Sequence, residues 1–300
     1  MPEQILRCTL EDLGALRVQG ADAGRFLQGQ LSNDMLRLAP GRSQLAGYHN
    51  PQGRVIALLR LVHLTDDDVL AILPRELAAP VAQRLAKFVL RSKVRVTEES
   101  AAWMISGSIG PRAHLPPPVL SEQRRVDDSI VVCVSESPPR LLEISPRAAA
   151  PRTPPGAPAD RERWRELEIR AGLPQVYAAT SEQFVAQMLN LDLIGAIAFD
   201  KGCYTGQEVI ARAHYRGRVK RRLQRFRSRA ALELGPGDAG TLTDGRPFKV
   251  VDAARLEDGR CEFLAVAPLP GAQEEAAAGA GPASPLDAET LPLPYALPET

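Results

Sequence analysis

The run Lys201-Gly202-Cys203-Tyr204-Thr205-Gly206-Gln207-Glu208 places one thiol between a cation and a helix start. A thiol reacts as its thiolate, so whatever favours negative charge around Cys203 bears on its chemistry. Thr205 and Glu208 have the Thr-x-x-Glu spacing of a capping box, in which the Thr hydroxyl accepts from the backbone N–H three residues on and the Glu carboxylate reaches back. The spacing predicts a helix through about His214, with Val209 and Ile210 on its apolar side. Cys203 then precedes a first turn whose unpaired N–H groups and dipole favour an anion, and Lys201 adds a positive charge two residues away. A free cysteine more often behaves as a small buried hydrophobe. The capping box and the lysine are what set Cys203 apart.

A second feature is electrostatic. From Arg212 to Arg229 there are nine Lys or Arg residues and no Asp or Glu. Such a field attracts a phosphate backbone, a polyglutamyl tail or another polyanion, although a solvated basic strand has the same composition. Tyr215 and Phe226 are the aromatic residues there, too sparse for a stacking platform.

Other catalytic signals are missing. Ser106-Gly107-Ser108-Ile109-Gly110 lacks the first glycine of a nucleophile elbow, and no phosphate-binding glycine loop follows a strand. His49, His63, His114 and His214 are scattered. Cys8, Cys133, Cys203 and Cys261 are far apart, without zinc-ligand spacing, so no metal site is expected.

The elements that must position these residues read as α+β. Ala15 to Val18 is extended, Asp22 to Leu31 is helical, and Asn50-Pro51-Gln52-Gly53 turns a hairpin between Gln44 to His49 and Arg54 to His63. Val69 to Leu73 forms another strand. Arg75 to Leu90 is predicted as a core-facing helix carrying Leu77, Val81, Leu85 and Phe88. Further strands are expected at Lys93 to Thr97, Ala102 to Ser106, Ile130 to Val134 and Leu141 to Ile144, without regular βαβ alternation.

Eleven of the 26 prolines fall between Pro111 and Pro158, which makes 145–159 the linker candidate. Asp160 is placed to cap a helix running to about Ala171, with Trp164 and Leu167 on one face. After Gly217, short strands broken by Pro236-Gly237, Asp244-Gly245 and Asp258-Gly259 predict a small C-terminal β-barrel or sandwich. Gly271 to Ala288 reads as a low-complexity loop. The expected domains are a body over 1–216, in two subdomains joined near 145–159, and a β-barrel over 217–300.

Composition bounds the class. With 300 residues, 44% apolar, 24% charged and a net charge of +1, the chain is long enough for a large core and too apolar to be disordered. Met1 to Gly14 lacks the pattern of a signal or transit peptide, and the longest apolar runs fall short of the ~20 residues of a membrane span. A cytoplasmic, reducing location with free thiols is expected, without a membrane partner.

The octet 201–208, continued by Val209-Ile210-Ala211-Arg212, Arg216-Gly217 and Lys220-Arg221, closely resembles the signature of the YgfZ-type proteins, folate-binding relatives of the glycine-cleavage T-protein (aminomethyltransferase). Gly20-Ala21-Asp22 with Phe26-Leu27-Gln28-Gly29-Gln30 is similar to that family's N-terminal segment, and Asn50 to Gly53 to its following turn. Leu85 to Val94, Trp164 to Pro174, Asn190-Leu191 and Leu291 to Leu297 extend the resemblance over most of the chain.

The resemblance implies a T-protein-like body that binds tetrahydrofolate or a one-carbon derivative and supports iron–sulfur cluster assembly or repair, with an indirect link to tRNA modification. Iron–sulfur client or assembly proteins are the implied partners, with transient cluster contact and at most weak tRNA binding. It assigns the functional thiol to Cys203, with Lys201, Gly202, Tyr204, Gly206, Gln207, Glu208 and Arg212 as supporting motif residues. Trp164 becomes a folate contact, since a flat indole stacks on a pterin or aminobenzoyl ring.

Two positions depart from the pattern. Leu13 stands where the family has a second folate-contacting tryptophan, and Arg170 where some relatives carry a Glu that binds the pterin edge. A guanidinium cannot accept those hydrogen bonds, but it pairs with carboxylates such as that of a folate. The alternatives are a folate-dependent aminomethyltransferase and a tRNA-binding protein using 212–229.

Overall fold

A computed structural model describes residues 5–110, 119–149, 157–158, 161–217, 219–270 and 285–298. The expected cap at Asp160, most of the expected linker and most of the loop from Gly271 lie outside the described residues. The chain divides into two compact units. The first comprises Met1–Tyr48, Ala57–Trp164 and Ala196–Thr205, and the second His49–Ile56, Arg165–Gly195 and Gly206–Thr300. Both are discontinuous in sequence, in contrast to the single boundary expected at 216/217. The reason is that the segment after Trp164 sends polar side chains into the C-terminal sheet: Arg165 binds Asp252, and Asn190 donates to the Leu223 carbonyl.

The first unit holds two sheets. One contains β2 (Leu13–Gln19), β3 (Ser43–His49), β4 (Val55–Thr65), β5 (Asp68–Pro74) and β6 (Arg95–Glu98), in the order β3-β4-β5-β2-β6. In β5 every residue is buried, as expected for a continuous apolar run at the centre of a sheet. Helix α1 (Ala23–Gln30) buries Ala23, Phe26 and Leu27. Helix α2 (Arg75–Ala86) packs on β2, β5 and β6 through Leu77, Val81 and Leu85, but stops four residues before the expected Leu90. Its end tightens into i→i+3 bonds such as Phe88 N–H to Leu85 O, and Leu90 has φ +39°. Phe88 is consequently 48% exposed and is not part of the core.

The other sheet runs β11-β1-β7-β10-β9-β8, where β1 is Leu6–Thr9, β7 Trp103–Ile109, β8 Gln123–Val126, β9 Ser129–Glu136, β10 Pro139–Pro146 and β11 Ala157–Pro158. The run containing Ser106 and Ser108 is therefore strand. Strands β1 and β8 have no counterpart in the sequence-based expectation.

In the second unit, β12 (Arg221–Ala231), β13 (Ala239–Thr241), β14 (Pro247–Arg255), β15 (Arg260–Pro268) and β16 (Ala288–Leu291) form a sheet ordered β13-β14-β15-β12-β16. Three of these strands are nine to eleven residues long, longer than expected. Phe226, Phe248, Val250, Cys261 and Phe263 form its core, with the Phe226 and Phe263 rings stacked at 5.4 Å. The expectation is a small β-barrel or sandwich; among the described residues no continuous ladder closes the sheet, and its edges meet at one isolated bridge, Leu242 to Leu286. Helix α3 (Arg161–Arg170) straddles the division between Trp164 and Arg165, and α4 (Gln207–Arg216) belongs to the second unit.

Candidate functional site

Helix α4 begins as the octet predicts, but its cap differs. Gly206 is the N-cap with φ +82°, and no side chain caps the helix, so Thr205 and Glu208 do not form the expected box. Close packing decides this. A Cβ on Gly206 would lie 2.5 Å from the Asn50 carbonyl oxygen and 3.0 Å from the Gly53 Cα, so a glycine is required on both conformational and steric grounds. Gly53, with φ +71°, lies against Val209 in turn. The turn is held by Asn50 Oδ1, which accepts from the N–H groups of Gln52 and Arg54, both at 3.0 Å, and by Asn50 Nδ2, which donates to Glu182 at 2.7 Å. The Asn-Pro-Gln-Gly and Gly-Gln-Glu motifs, some 150 residues apart, are thus neighbours. Ile210 is buried and its carbonyl accepts from Gln187 at 2.7 Å, while Val209 is 40% exposed. The helix continues two residues past His214.

Lys201 does something other than face the thiol. Its ammonium donates to the carbonyls of Gln28 at 2.7 Å, Leu31 at 2.6 Å and Asn33 at 3.0 Å, which satisfies all three donors at the C-terminal end of α1. It also lies 5.0 Å from the ring centre of the buried Tyr204. Burial pushes the Lys201 ammonium down to about 8. Three carbonyl acceptors favour the charged form, since a neutral amine has two N–H groups to give. Lys201 is therefore charged at neutral pH. Burial pushes the Tyr204 phenol up to about 12. An ion pair between Arg37 and Asp200 fastens the loop again.

Cys203 and Gly202 remain at the surface of this anchored loop. Cys203 is exposed whereas Cys8, Cys133 and Cys261 are buried, and a Cβ on Gly202 would meet nothing within 4 Å. Burial raises the Cys133 thiol, which makes it less nucleophilic.

Trp164 is 4% exposed in the first unit. Gly107 on β7 lies beneath its indole, so closely that a Cβ there would be 2.4 Å from the ring. The buried Arg140 guanidinium lies 5.2 Å from the ring centre on β10, within cation–π range. Leu13 opens β2 and is half-buried. Arg170, in the second unit, ends α3 and pairs with Glu166 one turn earlier and with the fully buried Glu262 at 3.6 Å. Its guanidinium is 38% exposed and retains donors for a further carboxylate.

Four cations of the basic segment are held by carboxylates. Arg222 makes a bidentate pair with Asp192, both contacts at 3.0 Å. Arg225 and Arg227 share Glu262 at 2.6 and 3.1 Å, and Arg229 pairs with Asp287 at 3.2 Å. Phe226 belongs to the core. Arg212, Arg216 and Lys220 are exposed.

Asp252 was not anticipated from the sequence. It is fully buried on β14 at a register shift, accepts from Arg165 Nε at 2.8 Å and from its neighbour's N–H, and lies 3.5 Å from the Tyr177 hydroxyl. Burial pushes its carboxyl up to about 7, because Arg165 only partly offsets the cost of the charge. The signal was one aspartate inside the apolar run Val250-Val251-Asp252-Ala253-Ala254.

No protein-family model matches the chain. The tRNA-modifying protein YgfZ of Edwardsiella ictaluri is 31% identical over 291 residues, covering 89% of this chain and 85% of that protein. The protein of the same name from Escherichia coli O139:H28 is 31% identical over 269 residues, covering 84% and 82%. An uncharacterized protein of Haemophilus influenzae is 32% identical over 223 residues, covering 74% and 73%. Among solved structures, the glycine cleavage system aminomethyltransferase T from Bartonella henselae matches with a TM-score of 0.72 at 14% identity, over 89% of this chain and 79% of that one. At that identity the likeness concerns the fold. No helix among the described residues is long and apolar enough to cross a membrane.

Proposed function

Because the chain belongs to the YgfZ family, we propose that it is a folate-dependent accessory protein for iron–sulfur cluster assembly or repair, supporting tRNA modification indirectly, with Cys203 as its working thiol. The observation that carries this reading is the division of work within one loop. Lys201 is spent on three carbonyls of the first unit, and that anchorage leaves Cys203 as the exposed cysteine, beside open space at Gly202. A thiol held on a fixed loop meets a partner protein at small entropic cost. Thiolates are also the usual ligands of iron–sulfur clusters, so brief contact with a cluster in transit suits the residue.

The aminomethyltransferase-like fold supports tetrahydrofolate or a one-carbon derivative as the bound cofactor. The residues fit it in chemical type. Trp164 brings an indole, 4% exposed, that packs against Gly107 and lies 5.2 Å from the Arg140 guanidinium. Leu13 brings only apolar contact. Bound folate would supply one-carbon chemistry, while the protein's own groups orient it and keep Cys203 accessible.

The test is rescue of a cluster-dependent enzyme in cells lacking the protein. Cys203→Ala should fold normally and fail to rescue, and full rescue by that variant would overturn the thiol's role. Turnover of glycine in a reconstituted cleavage assay would favour the transferase reading instead.

A further inference from the structure

Helix α4 carries an exposed face. At 3.6 residues per turn, Val209, Arg212, Tyr215 and Arg216 fall on one side, with Glu208 at the N-terminal edge and the buried Ile210 opposite. Tyr215 is 68% exposed and Val209 40%, while Arg212 and Arg216 are exposed at adjacent turns. Lys220 follows the helix and is exposed as well. Whereas Arg222, Arg225, Arg227 and Arg229 each hold a carboxylate, Arg212, Arg216 and Lys220 make no ion pair among the described residues.

The geometry points to this face as a docking site for single-stranded RNA, with Arg212, Arg216 and Lys220 on phosphates and the Tyr215 ring against a base. Three separated cations suit a chain of phosphates better than one small anion. One exposed ring beside these cations offers a single base a face to stack on, short of a platform for several, and an acidic peptide would leave it uncovered. The Tyr215 ring meets His214 edge to face at 4.8 Å, which steadies its orientation. This inference goes beyond the folate reading and does not rest on it.

The test is fluorescence anisotropy with labelled oligouridine in rising KCl. Binding should occur at low salt and weaken with a log–log slope of about 2, at ~0.7 per phosphate neutralised. R212Q/R216Q/K220Q should lose about tenfold or more in affinity. Tyr215→Leu should lose about tenfold while keeping the salt slope. R212K/R216K should keep most of the binding, and all variants should match wild type in circular dichroism and in the midpoint of urea unfolding. Absence of low-salt binding, an unaffected triple variant, or polyglutamate competing as well as RNA with no effect of Tyr215→Leu would overturn the proposal. Failure of wild type to bind folate would leave it standing.

Discussion

Lys201 donates to the carbonyl of Leu31 at 2.6 Å, joining the loop that carries the exposed thiol to the end of a helix 170 residues earlier in the chain. The lysine of the motif thus serves as an anchor and helix cap. Lys201→Met should destabilise the protein by about 2–3 kcal/mol, because a charge-assisted set of hydrogen bonds is lost and three carbonyls are left without their donor. Lys201→Arg should not restore it, since a planar guanidinium cannot reproduce three convergent donors. Urea unfolding measures both, and wild-type stability in Lys201→Met would contradict the anchoring role.

Thiol titration under native conditions distinguishes the cysteines. One of the four should react rapidly with an aromatic disulfide reagent, and all four should react after unfolding. Cys203→Ala should abolish the fast phase. Rapid reaction of two or more thiols in the native protein would show that the buried positions open readily.

Glycines of the same motif should respond oppositely. Gly206→Ala forces a Cβ onto the Asn50 carbonyl at a left-handed φ and should cost roughly 1–3 kcal/mol. Gly202→Ala adds a methyl group in open space and should stay within about 0.5 kcal/mol of wild type. Comparable losses in the two variants would contradict the packing of the 50–53 turn against α4.

Asp252 should make stability depend on pH. Its folded carboxyl titrates at about 7, above the unfolded value of roughly 4, so between these values the folded protein holds a proton that the unfolded chain has released. Its contribution to stability is therefore greatest below about pH 4, falls as pH rises through that window, and is lost above about pH 7. The stability of wild type minus that of Asp252→Asn should decline from acid to neutral pH. A flat difference would contradict the assignment.

The local parts of this structure were legible in the sequence. The Asn50 to Gly53 turn, the helix after Gly206 and the segment around Trp164 are each signalled by glycines, turn residues or apolar period. What was not legible depends on distant partners. The Lys201 acceptors lie about 170 residues upstream, and the carboxylates that neutralise Arg222, Arg225 and Arg227 come from Asp192 and Glu262. A run of nine cations therefore overstated the field that remains at the surface. The capping box failed for a similar reason, because approach of the Asn50 turn set the backbone at Gly206 and no side-chain spacing records that approach.

Isothermal titration with tetrahydrofolate tests the proposed binding of a reduced folate most directly. The informative variant is Trp164→Phe, because Trp164→Ala would empty a buried site at a cost of about 3–5 kcal/mol and confuse binding with folding. Wild type should give saturable, single-site heat, and Trp164→Phe should weaken it with little change in the unfolding midpoint. Absence of saturable heat from folded wild-type protein would contradict the claim.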